Sequence, residues 1–188
     1  MKDYEKVTVE SRQAWREWLQ LHYQQSESIW LVTYKKQAGA LYLPYDDIVE
    51  EALCFGWIDS LPRKLDELRT MLLLSPRKPK SVWSKLNKQR VERLIQQGLM
   101  MPSGLEKVTK AKIDGSWTFL DDVEALVIPE DLALGLASDE QAKQYFEAFS
   151  PSVKKGILQW IKMAKRSQTR QQRIDKTVSL AAKNIAAR

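Results

Sequence analysis

The most distinctive polar stretch of the sequence runs from Ser75 to Arg90. It holds six basic residues and no acid, and it leads into a predicted helix that begins at Ser81 or Ser84. The free N–H groups and the positive end of the dipole at a helix N-terminus attract a phosphate or a carboxylate. The stretch therefore predicts an anion-binding site. Its basic residues are Arg77, Lys78, Lys80, Lys85, Lys88 and Arg90.

Asn87 and Arg90 are unusual because helical spacing places them on the apolar face of this helix. Trp83 and Leu94 occupy the same face. Inward-facing polar side chains need partners from the protein or from a ligand. Asp59 is the obvious protein partner of Arg90, and in that case Asn87 and Arg90 only tie the helix to a sheet. The sequence leaves both interpretations open.

Asp59 is a second candidate, and it shares one face of a predicted strand with Trp57. A carboxylate beside an indole can have a raised pKa and serve as an acid or base, or it can accept hydrogen bonds from Arg69 or Arg90. Catalysis by paired carboxylates would need a second inward acid. Glu51 is the nearest, but we expect it on the polar side of its helix, which disfavours such a site. Tyr34 is the other candidate acid or base.

The helix that precedes Asp59 is the clearest element of the sequence. From Tyr45 onward, small and apolar residues recur at helical spacing and acidic residues fall on the other side. Gly56 can take the left-handed turn that ends a helix, and Trp57–Ser60 then alternates as a short strand. Cys54 lies near the C-terminal end of the helix, where the dipole raises the pKa of a thiol. We expect it to be inert packing.

The other N-terminal segments predict strands interleaved with helices. Helices are expected over 11–24, 84–98 and 102–113, strands over 28–35 and 68–74, and turns over 37–40 and 61–64. The first strand is apolar on both faces and should lie inside a sheet. For 68–74 a buried helix is the alternative. This arrangement is typical of an α+β or α/β domain.

Beyond residue 120 the sequence shows helical segments only. Pro129 and Pro151 mark helix starts. The last two helices carry apolar stripes that can be buried only against each other or against the first domain. The predicted fold class is therefore α+β, with a small sheet and packed helices over 1–120 followed by an all-helical C-terminal unit over 121–188.

Charge is distributed unevenly along the chain, which has a net charge of +6. Residues 61–100 hold ten Lys and Arg against three Asp and Glu, and residues 151–188 hold ten against one. If the two basic blocks form one surface, nucleic acid is a suitable partner. Basic helices packed beside acidic neighbours produce the same pattern. Nucleic-acid binding is thus an alternative that the sequence does not favour.

Composition argues against several other classes of function. One cysteine and one histidine exclude an internal disulfide and leave little room for a metal site or a Ser-His-Asp constellation. The sequence contains no Gly-rich phosphate loop and no nucleophile elbow. No run approaches the roughly 18 apolar residues of a membrane span. The first residues lack the apolar stretch of a signal peptide. These features predict a cytoplasmic protein without a metal or cofactor.

Four segments resemble the YdeI/OmpD-associated family of bacterial proteins, sometimes labelled bacteriocin-protection proteins. They are WLVTYKK at Trp30–Lys36, EEALCFGWIDS at Glu50–Ser60, SPRKPKSVWSKLNKQRVERLI at Ser75–Ile95 and FSPSVKKGILQWIKMAKRSQTRQQRI at Phe149–Ile174. The resemblance implies a YjbR/CyaY-like α+β N-terminal region and a helical OmpD-associated C-terminal region. It also implies a link to envelope stress and antimicrobial-peptide resistance, without an accepted reaction. The matching motif positions are Trp30, Tyr34, Lys35, Tyr45, Gly56, Trp57, Asp59, Arg77, Ser81, Trp83, Ser84, Asn87 and Arg90.

Taken together, these features predict a cytoplasmic, non-enzymatic binding protein, and the resemblance implies a stress or envelope-associated role. Its ligand would be an anionic small molecule or an acidic segment of a partner, held between the end of the GWID strand and the start of the Trp83 helix. Nucleic-acid binding, and an enzyme using Asp59 or Tyr34 as acid or base, are the alternatives. Charge is assigned to Arg77, Lys80 and Arg90, orientation to Ser81, Ser84 and Asn87, and the walls to Tyr34, Trp57, Asp59 and Trp83.

Overall fold

A computed structural model of the chain describes residues 4–187. The chain divides into two compact units, the first ending at Thr118 and the second beginning at Phe119. The first unit contains a four-stranded sheet with packed helices, and the second is helical. The predicted α+β fold class with a helical C-terminal region is therefore confirmed.

The sheet of the first unit has the strand order β1-β2-β4-β3. Strand β2 (Ile29–Tyr34) lies inside it, parallel to β1 (Lys6–Thr8) and antiparallel to β4 (Arg69–Pro76). The edge strand β3 (Trp57–Lys64) pairs antiparallel with β4. The first five residues of β2 are buried, which explains why its sequence is apolar on both faces. Both expected strands, 28–35 and 68–74, are confirmed.

Two features of the sheet differ from the sequence prediction. Residues 61–64, predicted as a turn, continue β3, and the register shifts between Asp59 and Pro62. A proline has no N–H to donate and is tolerated at an edge or a bulge, so Pro62 does not end the strand. Strand β1 was not predicted. It has three residues of which only Val7 is buried, which is too short for an alternating pattern.

Within the described residues, four helices and one short 3₁₀ helix complete the first unit. They are α1 (Arg12–His22), the 3₁₀ helix (Lys36–Leu41), α2 (Tyr45–Cys54), α3 (Lys85–Gln96) and α4 (Pro102–Ile113). Serine side chains cap two of these helices, because Ser11 Oγ accepts from the N–H of Ala14 at 3.1 Å and Ser84 Oγ accepts from that of Asn87 at 3.3 Å. Gly56 ends α2 with a φ of 81°.

The sequence predicted that the acidic residues of α2 all face solvent. This prediction is wrong. The Glu51 side chain is only 4% exposed and accepts hydrogen bonds from Arg12 at 2.7 Å and Arg16 at 2.6 Å. Glu50 pairs with Arg12 and with Arg93 of α3. Guanidinium groups on the two flanking helices make burial of these carboxylates tolerable. The network connects α1, α2 and α3.

The second unit contains five helices within the described residues. They are α5 (Asp121–Glu124), α6 (Glu130–Ala137), α7 (Glu140–Ala148), α8 (Pro151–Lys162) and α9 (Ser167–Ala181). Helix α9 packs against α6, α7 and α8. The buried residues of these helices include Leu132, Phe146, Ile157, Ile161 and Ile174. No helix within residues 4–187 has the length and apolarity needed to cross a membrane.

Candidate functional site

The polar stretch Ser75–Arg90 lines a small cavity in the first unit, together with residues from α4 and the turn after it. The cavity has a volume of about 40 Å³, whereas a single water molecule requires roughly 10–15 Å³. We call it the basic pocket. Its lining consists of Arg77, Lys78, Pro79, Lys80, Ser81, Trp83, Lys107, Lys110, Ala111, Asp114 and Ser116.

Arg77 is the most deeply placed charge of the basic pocket, with 3% of its surface exposed. Its guanidinium carbon lies 3.5 Å from the centre of the Trp83 ring, and Nη2 donates to the carbonyl oxygen of Val82 at 3.2 Å. Nε and Nη1 are buried without a hydrogen-bond partner. A forked donor of this kind matches the oxygens of a carboxylate or phosphate.

Burial lowers the pKa of Arg77 to about 10, an effect that the charge of Asp59 opposes in part. Arg77 therefore remains protonated at neutral pH, with no carboxylate hydrogen-bonded to it among the described residues. Taking a charge out of water without a partner costs free energy. An anion bound in the basic pocket would offset that cost.

Two further buried polar atoms without a partner belong to the same pocket. They are Nε1 of Trp83 and Oγ of Ser116. Buried polar groups in folded proteins are nearly always hydrogen-bonded, so such atoms need an explanation. Within residues 4–187, all the buried side-chain nitrogens and oxygens that lack a partner lie on residues lining this one pocket. Their N–H and O–H groups can all donate to an oxyanion.

Positively charged residues outnumber negatively charged ones in the lining of the basic pocket. Lys78, Lys80, Lys107 and Lys110 accompany Arg77, while Asp114 is the one acid of the described lining. Lys110 pairs with Glu106. The carboxylate of Asp114 is engaged by its own neighbours, as it accepts from the backbone N–H of Ser116 at 2.9 Å and of Lys80 at 3.1 Å.

The backbone around the pocket is fixed by contacts on both sides of Pro79. The N–H of Arg77 donates to the carbonyl oxygen of Gly56 at 2.9 Å, which anchors the end of β4. Lys80 has a φ of 60°, in the left-handed region that residues other than glycine rarely adopt. The hydrogen bond to Asp114 holds this conformation. Backbone strain of this kind is found preferentially at functional sites.

Of the ten residues predicted for the site, the structure brings Arg77, Lys80, Ser81 and Trp83 together in the basic pocket. Trp57 is fully buried in the core, and its Nε1 donates to the carbonyl oxygen of Tyr23. It therefore forms no wall of this pocket. Tyr34 and Ser84 also lie outside the lining, since Ser84 caps α3 and Tyr34 ends β2.

Asn87, Arg90 and Asp59 form contacts other than the predicted ones. Arg90 is buried and bonds to Asp46 at the start of α2 and to Asn87 Oδ1, the latter at 2.9 Å. Asp59 instead accepts from the hydroxyl of Tyr45 at 2.6 Å. Asn87 and Arg90 thus connect α3 to the helix α2 rather than to the sheet, and the acidic partner of Arg90 is Asp46 rather than Asp59.

Sequence reasoning missed the residues that α4 and the following turn contribute. Lys107, Lys110, Asp114 and Ser116 lie far along the chain from Arg77 and have no distinctive local pattern. The close packing of α4 on α2 brings them near. At Gly104 an added Cβ would lie 2.8 Å from the carbonyl oxygen of Leu53, so only glycine fits there. In the sequence, Gly104 is the residue that could have indicated a close contact between two helices.

The fold and the pocket define a two-part protein, in which a small α+β unit with an anion-compatible cavity precedes a helical unit. Residues 7–107 match the family described as a domain of unknown function, DUF8412, and the chain belongs to that family. Residues 125–184 match the family described as "Bacteriocin-protection, YdeI or OmpD-Associated".

These matches refine the resemblance drawn from the sequence. The YdeI/OmpD-associated assignment is confirmed for the C-terminal region, which contains the segment Phe149–Ile174. The three N-terminal segments lie inside the DUF8412 match, and no comparison supports a YjbR/CyaY-like N-terminal region. No curated protein and no solved structure gave a significant match.

Proposed function

We propose that the protein is a non-enzymatic binder whose first unit holds an anionic group, from a small molecule or an acidic partner segment, in the basic pocket. The observation that carries this proposal is the buried guanidinium of Arg77, with Nε and Nη1 unpartnered. A charged donor left unsatisfied destabilises the free protein. A ligand that supplies acceptor oxygens relieves that penalty, and this gives the pocket its selectivity for anions.

The surrounding groups support the same ligand chemistry. Lys78, Lys80 and Lys107 form no ion pair among the described residues, so their charges are available at the rim. The buried groups of Trp83 and Ser116 can add hydrogen bonds from inside. A volume of about 40 Å³ suits the charged end of a ligand better than a whole metabolite. We infer that the rest of the ligand stays outside the pocket.

The experiment is a calorimetric titration of the whole protein with inorganic phosphate, and then with an oligoglutamate peptide as the acidic-segment probe. The double variant Lys107→Gln/Lys110→Gln should bind phosphate roughly fivefold more weakly, because rim charges contribute modestly. The matched control is Lys64→Gln/Lys85→Gln, which removes two exposed charges outside the lining. The control should bind like the wild type.

Two results would contradict the proposal. The first is the absence of saturable binding of either probe at low ionic strength. The second is an equal loss of affinity in the rim variant and in the control, because a general attraction to positive charge would then explain the binding. Binding of the peptide but not of phosphate would assign the pocket to a protein partner.

We propose in addition that the protein acts in the bacterial cytoplasm in a stress setting. The description of the family matched by residues 125–184 mentions bacteriocin protection, which supports the choice of assay. A deletion strain should be rescued from bacteriocin sensitivity by the wild-type chain and by Lys64→Gln/Lys85→Gln, but less by Lys107→Gln/Lys110→Gln. Equal rescue by all three chains would show that the basic pocket is not needed for bacteriocin protection.

A further inference from the structure

The first unit contains a second and larger cavity, with a volume of about 340 Å³. It is lined by the ends of β2 and β4, the 3₁₀ helix and the first turn of α2. Tyr34, Tyr42 and Tyr45 all line it, and Ile48 and Leu72 contribute buried apolar groups. We call it the tyrosine hollow. Small-molecule sites have volumes of about 300–1,000 Å³ and mostly apolar walls.

Two of the three tyrosines of the hollow are exposed to solvent. Tyr42 and Tyr45 are 40% and 50% exposed. The ring of Tyr45 is oriented by its hydrogen bond to Asp59 at 2.6 Å, and Tyr34 and Tyr42 form an isolated backbone bridge. Aromatic rings favour stacked or edge-to-face partners. Walls of this kind select a planar aromatic guest over an aliphatic one.

The charges that line the hollow are all positive. Lys35 and Lys36 belong to its lining, and no acid does among the described residues. The ammonium of Lys35 is already bound by the carbonyl oxygens of Asp66 at 2.6 Å and Glu67 at 2.8 Å. Lys36 is exposed and has no ion pair among the described residues. Its ammonium is therefore available to a negative group at the mouth.

We propose that the tyrosine hollow binds a planar aromatic molecule that carries one carboxylate or equivalent negative group. The ring system lies among the tyrosines and against Met71, and the negative group pairs with Lys36. The hollow shares no lining residue with the basic pocket. This inference therefore stands or falls independently of the function proposed for Arg77.

The test uses 2-naphthoate as the anionic probe and 2-naphthamide as its neutral counterpart, measured by calorimetry on the whole protein. Naphthoate should bind saturably with one site and perturb the methyl NMR signals of Ile48, Met71 and Leu72. Lys36→Gln should weaken naphthoate binding roughly twofold to fivefold without affecting naphthamide. Tyr42→Ala, at an exposed position, should weaken both probes because it removes one wall.

Controls separate the hollow from other basic surfaces. Lys85→Gln removes an exposed lysine outside both cavities and should leave naphthoate binding unchanged. Lys107→Gln/Lys110→Gln should also leave it unchanged, and inorganic phosphate should not compete. The inference is overturned by an absence of saturable binding, by wild-type affinity in Tyr42→Ala, or by loss of binding in the Lys107→Gln/Lys110→Gln variant.

Discussion

Arg77 combines two properties that rarely coincide in a residue kept only for stability. It is almost completely buried, and two of its guanidinium nitrogens lack a partner. Stacking on Trp83 recovers part of the desolvation penalty, since cation–π contacts strengthen when they are shielded from water. The remaining penalty persists in the free protein. Arg77 is thus better explained by what it can bind than by what it stabilises.

The first prediction concerns the substitution Arg77→Met. Removing an uncompensated buried charge while keeping a long apolar side chain should change the free energy of unfolding by less than about 1 kcal/mol in either direction. Phosphate binding should be lost. Urea denaturation in phosphate-free buffer measures the first quantity, and calorimetry measures the second.

Arg77→Lys is the matched variant, because it keeps the charge but removes the forked donor. It should retain weak phosphate binding. If Arg77→Met instead lowers the free energy of unfolding by about 3 kcal/mol or more, the guanidinium is a structural group. That is the loss expected when one partner of a satisfied buried pair is removed.

The second prediction concerns Tyr45. Burial raises the pKa of its hydroxyl from 10.0 to about 12, and the hydrogen bond to Asp59 adds to the increase. A raised pKa in the folded state means that the protonated hydroxyl stabilises the fold. This stabilisation is fully present below about pH 10 and is lost as the pH rises through about 12. Tyr45→Phe should be less sensitive to alkaline unfolding over that interval.

Absorbance titration of tyrosinate checks this directly. The chain has six tyrosines, and one should ionise in a late step that is missing from Tyr45→Phe. Asp59→Asn provides the companion measurement, since it removes the negative charge and should move the late step to lower pH. A titration curve that Tyr45→Phe leaves unchanged in shape would show that the hydroxyl is not shielded.

At the residue scale, the sequence revealed one side of the site and missed the other. The basic run through Arg77 and Lys80 was visible because six cations without an acid form a local pattern. Lys107 and Ser116 were not, because tertiary packing of α4 brings them to the pocket. The partner of Arg90 was predicted as Asp59 and is Asp46. Helix periodicity gives a side chain's direction, but it does not identify the group that it meets.

At the scale of elements, the contact between α2 and α4 determines the shape of the site. Gly104 lies where α4 approaches the end of α2, and the N–H of Met101 donates to the carbonyl oxygen of Cys54 at 3.0 Å. An added Cβ at Gly104 would be 2.8 Å from the carbonyl oxygen of Leu53 and closer still to that of Cys54. Backbone atoms cannot move aside as a flexible side chain can. The contact therefore requires glycine.

The third prediction compares two glycine substitutions within helices. Gly104→Ala should lower the free energy of unfolding of the first unit by about 2 kcal/mol or more, because the helices must separate. It should also weaken phosphate binding by displacing Lys107 and Lys110. Gly156→Ala is the matched substitution in α8, where nothing lies within 4 Å of an added Cβ. It should raise stability by up to about 1 kcal/mol.

Chemical denaturation followed by tryptophan fluorescence and circular dichroism measures both effects. Equal stability of the two glycine variants would mean that α4 does not approach α2 as closely as described. Unchanged phosphate binding in Gly104→Ala would mean that the position of α4 is irrelevant to the basic pocket.

The sequence predicted most elements because their signals are local. Serine caps at Ser11 and Ser84 and the left-handed Gly56 define helix ends through their immediate neighbours. The predicted end of β3 was wrong because Pro62 is normally a turn signal. Proline is acceptable in this strand only because β3 lies at the edge of the sheet. Whether a strand lies at the edge of a sheet depends on the strand order, and no local sequence pattern encodes that order. The burial of Glu51 was missed for the same reason, since its partners Arg12 and Arg16 belong to another helix.

At the scale of the whole molecule, the surroundings of the second basic block, residues 151–188, bear on nucleic-acid binding. In the second unit several cations are neutralised by nearby acids, since Lys155 pairs with Glu124, Lys162 with Asp122 and Arg170 with Asp131. These acids come from the acidic block that precedes them in the sequence. Paired surface charges attract a polyanion less than unpaired ones do. The charge pattern of the second unit therefore gives little support to nucleic-acid binding.

The fourth prediction tests whether binding belongs to the first unit alone. Phe146 is fully buried in the second unit, with its ring 6.1 Å from that of Phe149. Phe146→Ala should lower the free energy of unfolding of the second unit by about 3–5 kcal/mol. All described residues of the basic pocket lie in the first unit, so the phosphate dissociation constant should stay within about twofold of the wild-type value.

Denaturation of Phe146→Ala should then show an early loss of helical circular dichroism, while phosphate still protects the transition of the first unit. Bound ligand stabilises only the unit that holds it, by an amount that grows with the logarithm of the ligand concentration. The matched control is Leu134→Ala, an exposed position on α6 of the same unit, which should change little. If phosphate affinity falls together with the helical signal in Phe146→Ala, the second unit takes part in binding. The pocket at Arg77 would then be only part of the site.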